Sequence, residues 1–193
     1  MAGRSGTPTR AADRIASSLA ALVATLAVAL ILAFAAATPA AAQGFGTWRS
    51  AQFGLTIGFP TTWTITEERS SPERGDVVIL GNDVSALLVG LLHDTRTPRE
   101  MALDLVQSQK EATPDLAVIQ STDTAAGSVI LFMQYTIHPQ TAAAMLIDEK
   151  ALLGSLQPGT STVMIRGMVP DRADVEAQFE EIESIIATMS PVR

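Results

Sequence analysis

No charged residue occurs between Ile15 and Ala42. A run that long cannot form one layer of a small globular fold, because such layers need a polar face toward water. Arg4, Arg10 and Arg14 precede it, the most apolar part spans Ala21 to Phe34, and it ends in small residues around Pro39, Ala40 and Ala42. A basic start, an apolar centre and an A-x-A-like end predict a signal peptide cleaved before Gln43. The competing reading is an uncleaved anchor, since about 20 apolar residues span a bilayer. The basic residues lie on its N-terminal side, so the rest of the chain would again leave the cytoplasm. Both readings divide the protein into an export segment, 1–42, and one exported domain, 43–193, that is periplasmic, cell-surface or extracellular.

The exported 151 residues hold 10 basic and 19 acidic side chains, a net charge of −9. That balance, with no run of Lys or Arg, opposes nonspecific binding to nucleic acid or anionic lipid. Membrane contact is expected only through residues 15–42 if they are uncleaved. The same charge predicts a monomer. The chain contains no Cys, which removes disulfides, thiolate nucleophiles and cysteine metal sites. A chain of this size buries roughly 68–70% of its extended surface, enough for a core without such staples.

Alternation organises the domain. Trp48 to Gln52 is a short edge strand. Leu55, Ile57 and Phe59 share one face of a strand that Pro60 stops. Trp63 to Glu67 alternates again, with Trp63 and Ile65 pointing together and Trp63 sealing a corner of the core. Val77 to Leu80 follows. Val84 to Leu92 is apolar on both faces, so this central strand must be covered on both sides. Thr97-Pro98-Arg99-Glu100 is a capping box with Pro at the first helical position, opening a helix to about Ala112. Met101, Ala102, Leu105, Val106 and Gln109 line its inner side. Leu116 to Gln120 and Ser128 to His138 are strands. Residues 141–156 have helical composition but also suit a strand from Ala143 to Asp148, which the following strand, Ser161 to Val169, favours as a partner. Asp171 is the expected N-cap of a last helix. Its inner stripe is Val175, Phe179, Ile182, Ile186 and Met189, and Glu180, Glu181 and Glu183 face water. The predicted class is α/β: an α-β-α sandwich in which two helices cover a single, mostly antiparallel sheet.

Few residues suggest chemistry. His93-Asp94 at the end of the central strand has the types of a general base or half a metal site. Neighbours on extended chain face opposite ways, however, and a surface loop explains them more simply. His138 would complete a two-His, one-carboxylate site only if its strand ended beside His93. Otherwise Gln134, Thr136 and His138 form one polar face or rim. Asp171, Asp174 and Glu176 suit helix capping better than a cation site. The chain has no G-x-S-x-G elbow, phosphate loop, H-E-x-x-H or EF-hand spacing, and no cofactor is expected. Trp48, Phe53 and Trp63 are read first as core and edge packing. Their sharper reading is a partner surface, with Trp48 the more exposed of the two Trp.

The segment Phe53 to Ile65, FGLTIGFPTTWTI, resembles the opening hairpin of the PsbP-like superfamily, where Y-G-F-S-I-x-Y-P-x-x-W-x-V begins the domain. Phe53, Gly54, Leu55, Ile57, Phe59, Pro60, Trp63 and Ile65 carry the match. The resemblance implies an α-β-α sandwich, no transferable catalytic residues and action by binding other proteins. A Lys-rich N-terminal arm for docking to a photosystem is missing. The expected function is therefore a non-enzymatic exported accessory domain that binds an envelope or extracellular protein. The alternatives are a metal-assisted hydrolase using His93 and His138, and a carrier of a small apolar ligand held between helix and sheet.

Overall fold

A computed structural model describes residues 45–140, 143–157, 161–171 and 173–191; the expected export segment, 1–42, lies outside them. In chain order the elements are β1 (Phe45–Ser50), β2 (Leu55–Pro60), β3 (Thr64–Ser71), β4 (Gly75–Gly81), β5 (Ala86–Leu92), α1 (Pro98–Ala112), β6 (Ala117–Asp123), β7 (Val129–Ile137), β8 (Met145–Gln157), β9 (Ser161–Pro170), α2 (Val175–Ala187) and β10 (Ser190–Pro191). Seven strands form one sheet in the order β3-β4-β5-β9-β8-β7-β6, and β1-β2-β10 form a second, small sheet. Adjacent strands run antiparallel. The expectation of a single sheet is corrected here. Pro60 and the turn after it end β2 before it can join β3, so β1 and β2 pair apart from the main sheet, and β10 adds to their edge.

The large sheet is apolar on both faces, as β5 required. One face carries Ala86, Leu131, Met133, Ile137, Ile147, Ala151, Leu153 and Met168, and α1 covers it with Met101, Ala102 and Leu105. The other carries Val78, Leu80, Leu87, Val89, Leu91 and Ile165 and packs against α2 and the small sheet through Ile57, Phe59, Trp63, Phe179, Ile182 and Ile185. α1 begins as its sequence dictates: the Thr97 hydroxyl accepts from Glu100 N, the Glu100 carboxylate accepts from Thr97 N at 2.8 Å, and Pro98 opens the first turn.

Four local expectations are corrected. Residues 145–157 form a strand longer than anticipated, because β8 has a full partner on each side in β7 and β9. The cap of α2 is Asp174, accepting from Ala177 N at 3.2 Å, and not Asp171. β9 runs through Pro170 and Asp171 N still donates to Leu146 O at 3.0 Å, so the helix starts one turn later. The deepest α2 residue is Ile185, with Ile186 only partly buried. Ile65 does not point with Trp63: Trp63 sits in the turn, β3 begins at Thr64, and a bulge between Ile65 and Glu67 leaves Ile65 exposed.

Candidate functional site

Of the residues that the sequence singles out, two meet at the surface where β5 leaves the sheet. Gly75 and Leu92 are register partners, and His93 N extends that pairing by donating to Arg74 O at 3.3 Å. The turn between β1 and β2 folds onto this end. Phe53 N donates to Ser50 Oγ at 3.0 Å, Ser50 Oγ donates to the Asp76 carboxylate, and Ser70 Oγ donates to the same carboxylate at 2.6 Å. Asp76 is buried, and these two hydroxyls supply the hydrogen bonds that its burial demands. The turn thus anchored sets the Phe53 ring 5.1 Å from the His93 ring and places the Gln52 amide against His93 Nε2.

Asp94 turns to a different partner. Both of its oxygens bond the Arg96 guanidinium, at 2.6 to 3.1 Å, and Arg96 N donates to Oδ1 at 2.9 Å. Burial raises the Asp94 pKa, but the Arg96 bonds and charge outweigh it and hold the carboxyl below its ordinary value. Arg96 also reaches Asp104 of α1 at 2.8 Å. The Asp94 carboxylate is therefore committed to Arg96, as a loop clasp, rather than orienting His93.

His138 lies at the far end of the sheet. Three antiparallel pairings separate β5 from β7, so the two strands finish at opposite ends. Met145 opposes Ile137, while Ser155 lies on the row of Thr162 and Leu92. Ten residue steps along β8 separate those rows, roughly 33 Å at about 3.3 Å per residue. This corrects the two-His metal site and the hydrolase built on it. Among the described residues no group of three or more His, Asp or Glu is placed to hold a metal. Gln134 and Thr136 do share a partly open face, away from α1, where Gln134 donates to Asp148 at 3.0 Å. Thr136 N donates to Asp115 at 2.9 Å beside the exposed His138.

Trp48 and Trp63 are 4% and 1% exposed. Both belong to the core between the large sheet and the α2 layer, so packing is their role and the expected exposure of Trp48 is corrected. Trp48 stands opposite Ile57 in the small sheet, and that pair faces inward. Only Phe53 of the three aromatics reaches the surface, and only in part.

The sequence reading missed the strongest polar cluster. Beneath α1, Arg166 of β9 and Glu149 of β8 are 2% and 0% exposed. Arg166 Nε and Nη2 donate to the two oxygens of Glu149 at 2.6 and 2.9 Å. Tyr135 Oη of β7 donates to Glu149 at 2.8 Å, and Arg166 Nη2 donates to Gln109 Oε1 of α1 at 3.2 Å. Burial pushes the Arg166 pKa down, and the adjacent Glu149 charge more than restores it, so the guanidinium stays charged. Burial, then the Glu149 charge, pushes the Tyr135 phenol well above its ordinary range. The available signal was a charge on an apolar face: Glu149 alternates with Ile147 and Ala151, and Arg166 with Met164 and Met168. Arg166, Glu149 and Tyr135 are bonded to one another, while the buried Gln109 Nε2 has no hydrogen-bond partner among the described residues. The remaining layer between α1 and the sheet, the place an apolar ligand would take, is occupied by Met101, Leu105, Met133, Ala151 and Met168.

A three-layer architecture, with one helix on one face of a seven-stranded antiparallel sheet and a second helix plus a small sheet on the other, is the PsbP-like fold. The solution structure of cyanobacterial PsbP (CyanoP) from Synechocystis matches with a TM-score of 0.50 over 81% of this chain and 97% of that one, at 10% identity. The Ran-binding protein Mog1p of Saccharomyces cerevisiae matches with a TM-score of 0.51 over 78% and 97%, at 14% identity. LpqN of Mycobacterium tuberculosis, described as involved in cell envelope biogenesis, is more distant, with a TM-score of 0.40 over 78% and 91%, at 10% identity. No family profile and no curated protein matches the sequence. Among the described residues no helix is long and apolar enough to cross a membrane.

Proposed function

We propose that the protein is an exported, non-enzymatic accessory domain that binds another protein of the cell envelope, and that the Phe53–His93 end of the sheet is part of its binding surface. The observation that carries this reading is how the polar groups are committed. Glu149, Arg166 and Asp76 are buried and bonded within the fold, and Asp94 is clasped by Arg96. Among the described residues neither histidine is hydrogen-bonded to a carboxylate that would orient it as a base. Phe53, Gln52 and His93 instead offer a ring pair and an amide on a turn held rigid by Asp76. Aromatic groups of this kind are enriched where proteins bind each other. The architecture shared with a Ran-binding protein supports a binding role by analogy. Residues 1–42, read as an export segment, support an exported location, periplasmic, cell-surface or extracellular.

Chemical crosslinking in the native envelope, followed by mass spectrometry of the linked peptides, tests the proposal. The expected product joins a second envelope protein to the 50–54 turn or the 92–96 loop, and the double substitution Phe53→Ala with His93→Ala depletes it. Recovery of the same product from the double variant would contradict the assignment of the surface.

A further inference from the structure

The two core layers of the fold differ in chemistry. The α2 layer rests on aromatic and β-branched side chains, among them Trp48, Trp63, Ile57, Ile165, Ile182 and Ile185. Such side chains have few rotamers and hold one shape. The α1 layer instead holds five of the chain's seven methionines. Met is unbranched and adaptable, and in a chain without Cys its thioether is the one kind of oxidisable sulfur. Met101, Met133 and Met168 are buried, whereas Met145 and Met164 are only partly buried and pack against the margin of the layer. These two stand at opposite ends of it. Met164 pairs with Leu153 and shares a row with Val129 and Asp123, and Arg99 in the first turn of α1 reaches Asp123 at 3.2 Å. Met145 opposes Ile137, eight residue steps from Leu153 along β8, or about 26 Å. Between these ends α1, 15 residues long, spans about 22 Å and leads into β6 at Ala117, on the row of Gln134 and Asp148.

The hold of α1 on the sheet is narrow. Its buried residues are Met101, Ala102, Leu105 and Gln109. Among the described residues the one buried hydrogen bond across the layer runs from Arg166 to Gln109, and Gln109 Nε2 is buried without a partner. An unmet donor already weakens this contact. We propose that the α1 layer is an oxidation-sensitive latch: hydrogen peroxide converts Met145 and Met164 to sulfoxides, and α1 then opens from the sheet as a unit while the α2 layer stays closed. In each step the sulfur lone pair takes one oxygen from the peroxide, the O–O bond breaks and water leaves. Sulfur is oxidised by two electrons and the peroxide is reduced. The new oxygen is a hydrogen-bond acceptor, and holding it against an apolar layer without a donor is unfavourable. Opening of α1 returns it to water. The sheet survives the opening because its strands pair with one another, and Arg166, Glu149 and Tyr135 bond each other without α1.

Hydrogen exchange read by mass spectrometry, before and after graded peroxide treatment of the full chain, tests the latch. Every protein in the test carries Met189→Leu, because Met189 borders the α2 layer and would be oxidised as well. Peptide masses are expected to show sulfoxide at Met145 and Met164 before Met101, Met133 or Met168. At that stage the α1 amides are expected to exchange about tenfold faster or more, the effect of two polar atoms set against an apolar layer, with the α2 amides unchanged. Adding Met145→Leu and Met164→Leu, which nearly conserve volume, is expected to keep α1 exchange slow after the same treatment. Methionine sulfoxide reductases of both stereospecificities are expected to restore slow exchange to the oxidised protein, a readout that needs no variant at these two positions. Unchanged α1 exchange with both sulfoxides formed, equal acceleration in α2, earlier oxidation of the three buried methionines, or the same loosening in the Leu variant overturns the proposal. None of these outcomes bears on the Phe53 surface.

Discussion

Replacing Arg166 with Met would leave the Glu149 carboxylate buried with its main counter-charge gone. Arg166 makes two charge-assisted bonds to Glu149, at 2.6 and 2.9 Å, and one to Gln109 at 3.2 Å, in a site that solvent does not reach. Breaking one half of a buried pair costs about 3–5 kcal/mol, because the other charge stays desolvated. In a domain of this size each kcal/mol moves Tm by about 2–4 °C, so a loss of roughly 6–20 °C is expected. The compensated double variant, Glu149→Leu with Arg166→Met, removes both charges but leaves the Tyr135 hydroxyl without its acceptor and the buried Gln109 Oε1 without its donor. It should keep a deficit of about 1–3 kcal/mol. Adding Tyr135→Phe removes the first of these orphans and leaves only Gln109, so the triple variant should lie within about 3 kcal/mol of the parent. Urea unfolding followed by Trp fluorescence measures the series, since Trp48 and Trp63 are buried in the opposite layer and report global unfolding. A single variant costing under about 1 kcal/mol would mean that water reaches the pair and that α1 does not seal it. A triple variant as unstable as the single would refute the charge-compensation reasoning.

Other consequences can be checked on the same protein. Tyr135 has a folded pKa above its unfolded value of about 10, so the stability it contributes is complete below that pH and is lost as pH rises beyond it. Tyr135→Phe should flatten the alkaline limb of a stability–pH curve measured by urea midpoints, and an unchanged limb would remove Tyr135 as its cause. Gly75 has φ +108°, and a Cβ there would stand 2.0 Å from Leu91 O. Gly75→Ala should therefore cost more than about 1 kcal/mol in a thermal melt, whereas Gly127→Ala, strained in φ (+78°) but unobstructed, should cost less. Thr97→Ala removes the α1 cap and should cost about 0.5–2 kcal/mol, with the added amide exchange confined to the first turn in a hydrogen-exchange experiment.

Much of the fold was legible because single residues carried unambiguous physics. Thr97-Pro98-Arg99-Glu100 named the start of α1, and the unbroken apolar run in β5 demanded cover on both faces, which α1 and the α2 layer provide. Legibility failed where local signals compete with distant pairing. Asp171 looks like a cap in isolation, yet Pro170 and Asp171 are held by β8 across the sheet. The composition of residues 141–156 suits a helix, and β8 forms only because β7 and β9 lie on either side of it. Trp48 stands close to the apolar 15–42 segment in sequence, but its pairing partner Ile57 directs it inward. The candidate site was half legible. His93 and Phe53 each stand out alone in the sequence, and Ser50, Ser70 and Asp76, which carry no motif, bring them together. Glu149 and Arg166 escaped because no local rule gives a charge its partner in another strand.

Site-resolved photocrosslinking in intact envelopes tests the central claim most directly. A photoreactive residue placed at position 53 of the full chain should form a discrete adduct with another envelope protein, while the same residue at position 138, at the far end of the sheet, should not. Adducts that are absent at position 53, or equally abundant at both positions, would contradict a binding surface at the Phe53–His93 end.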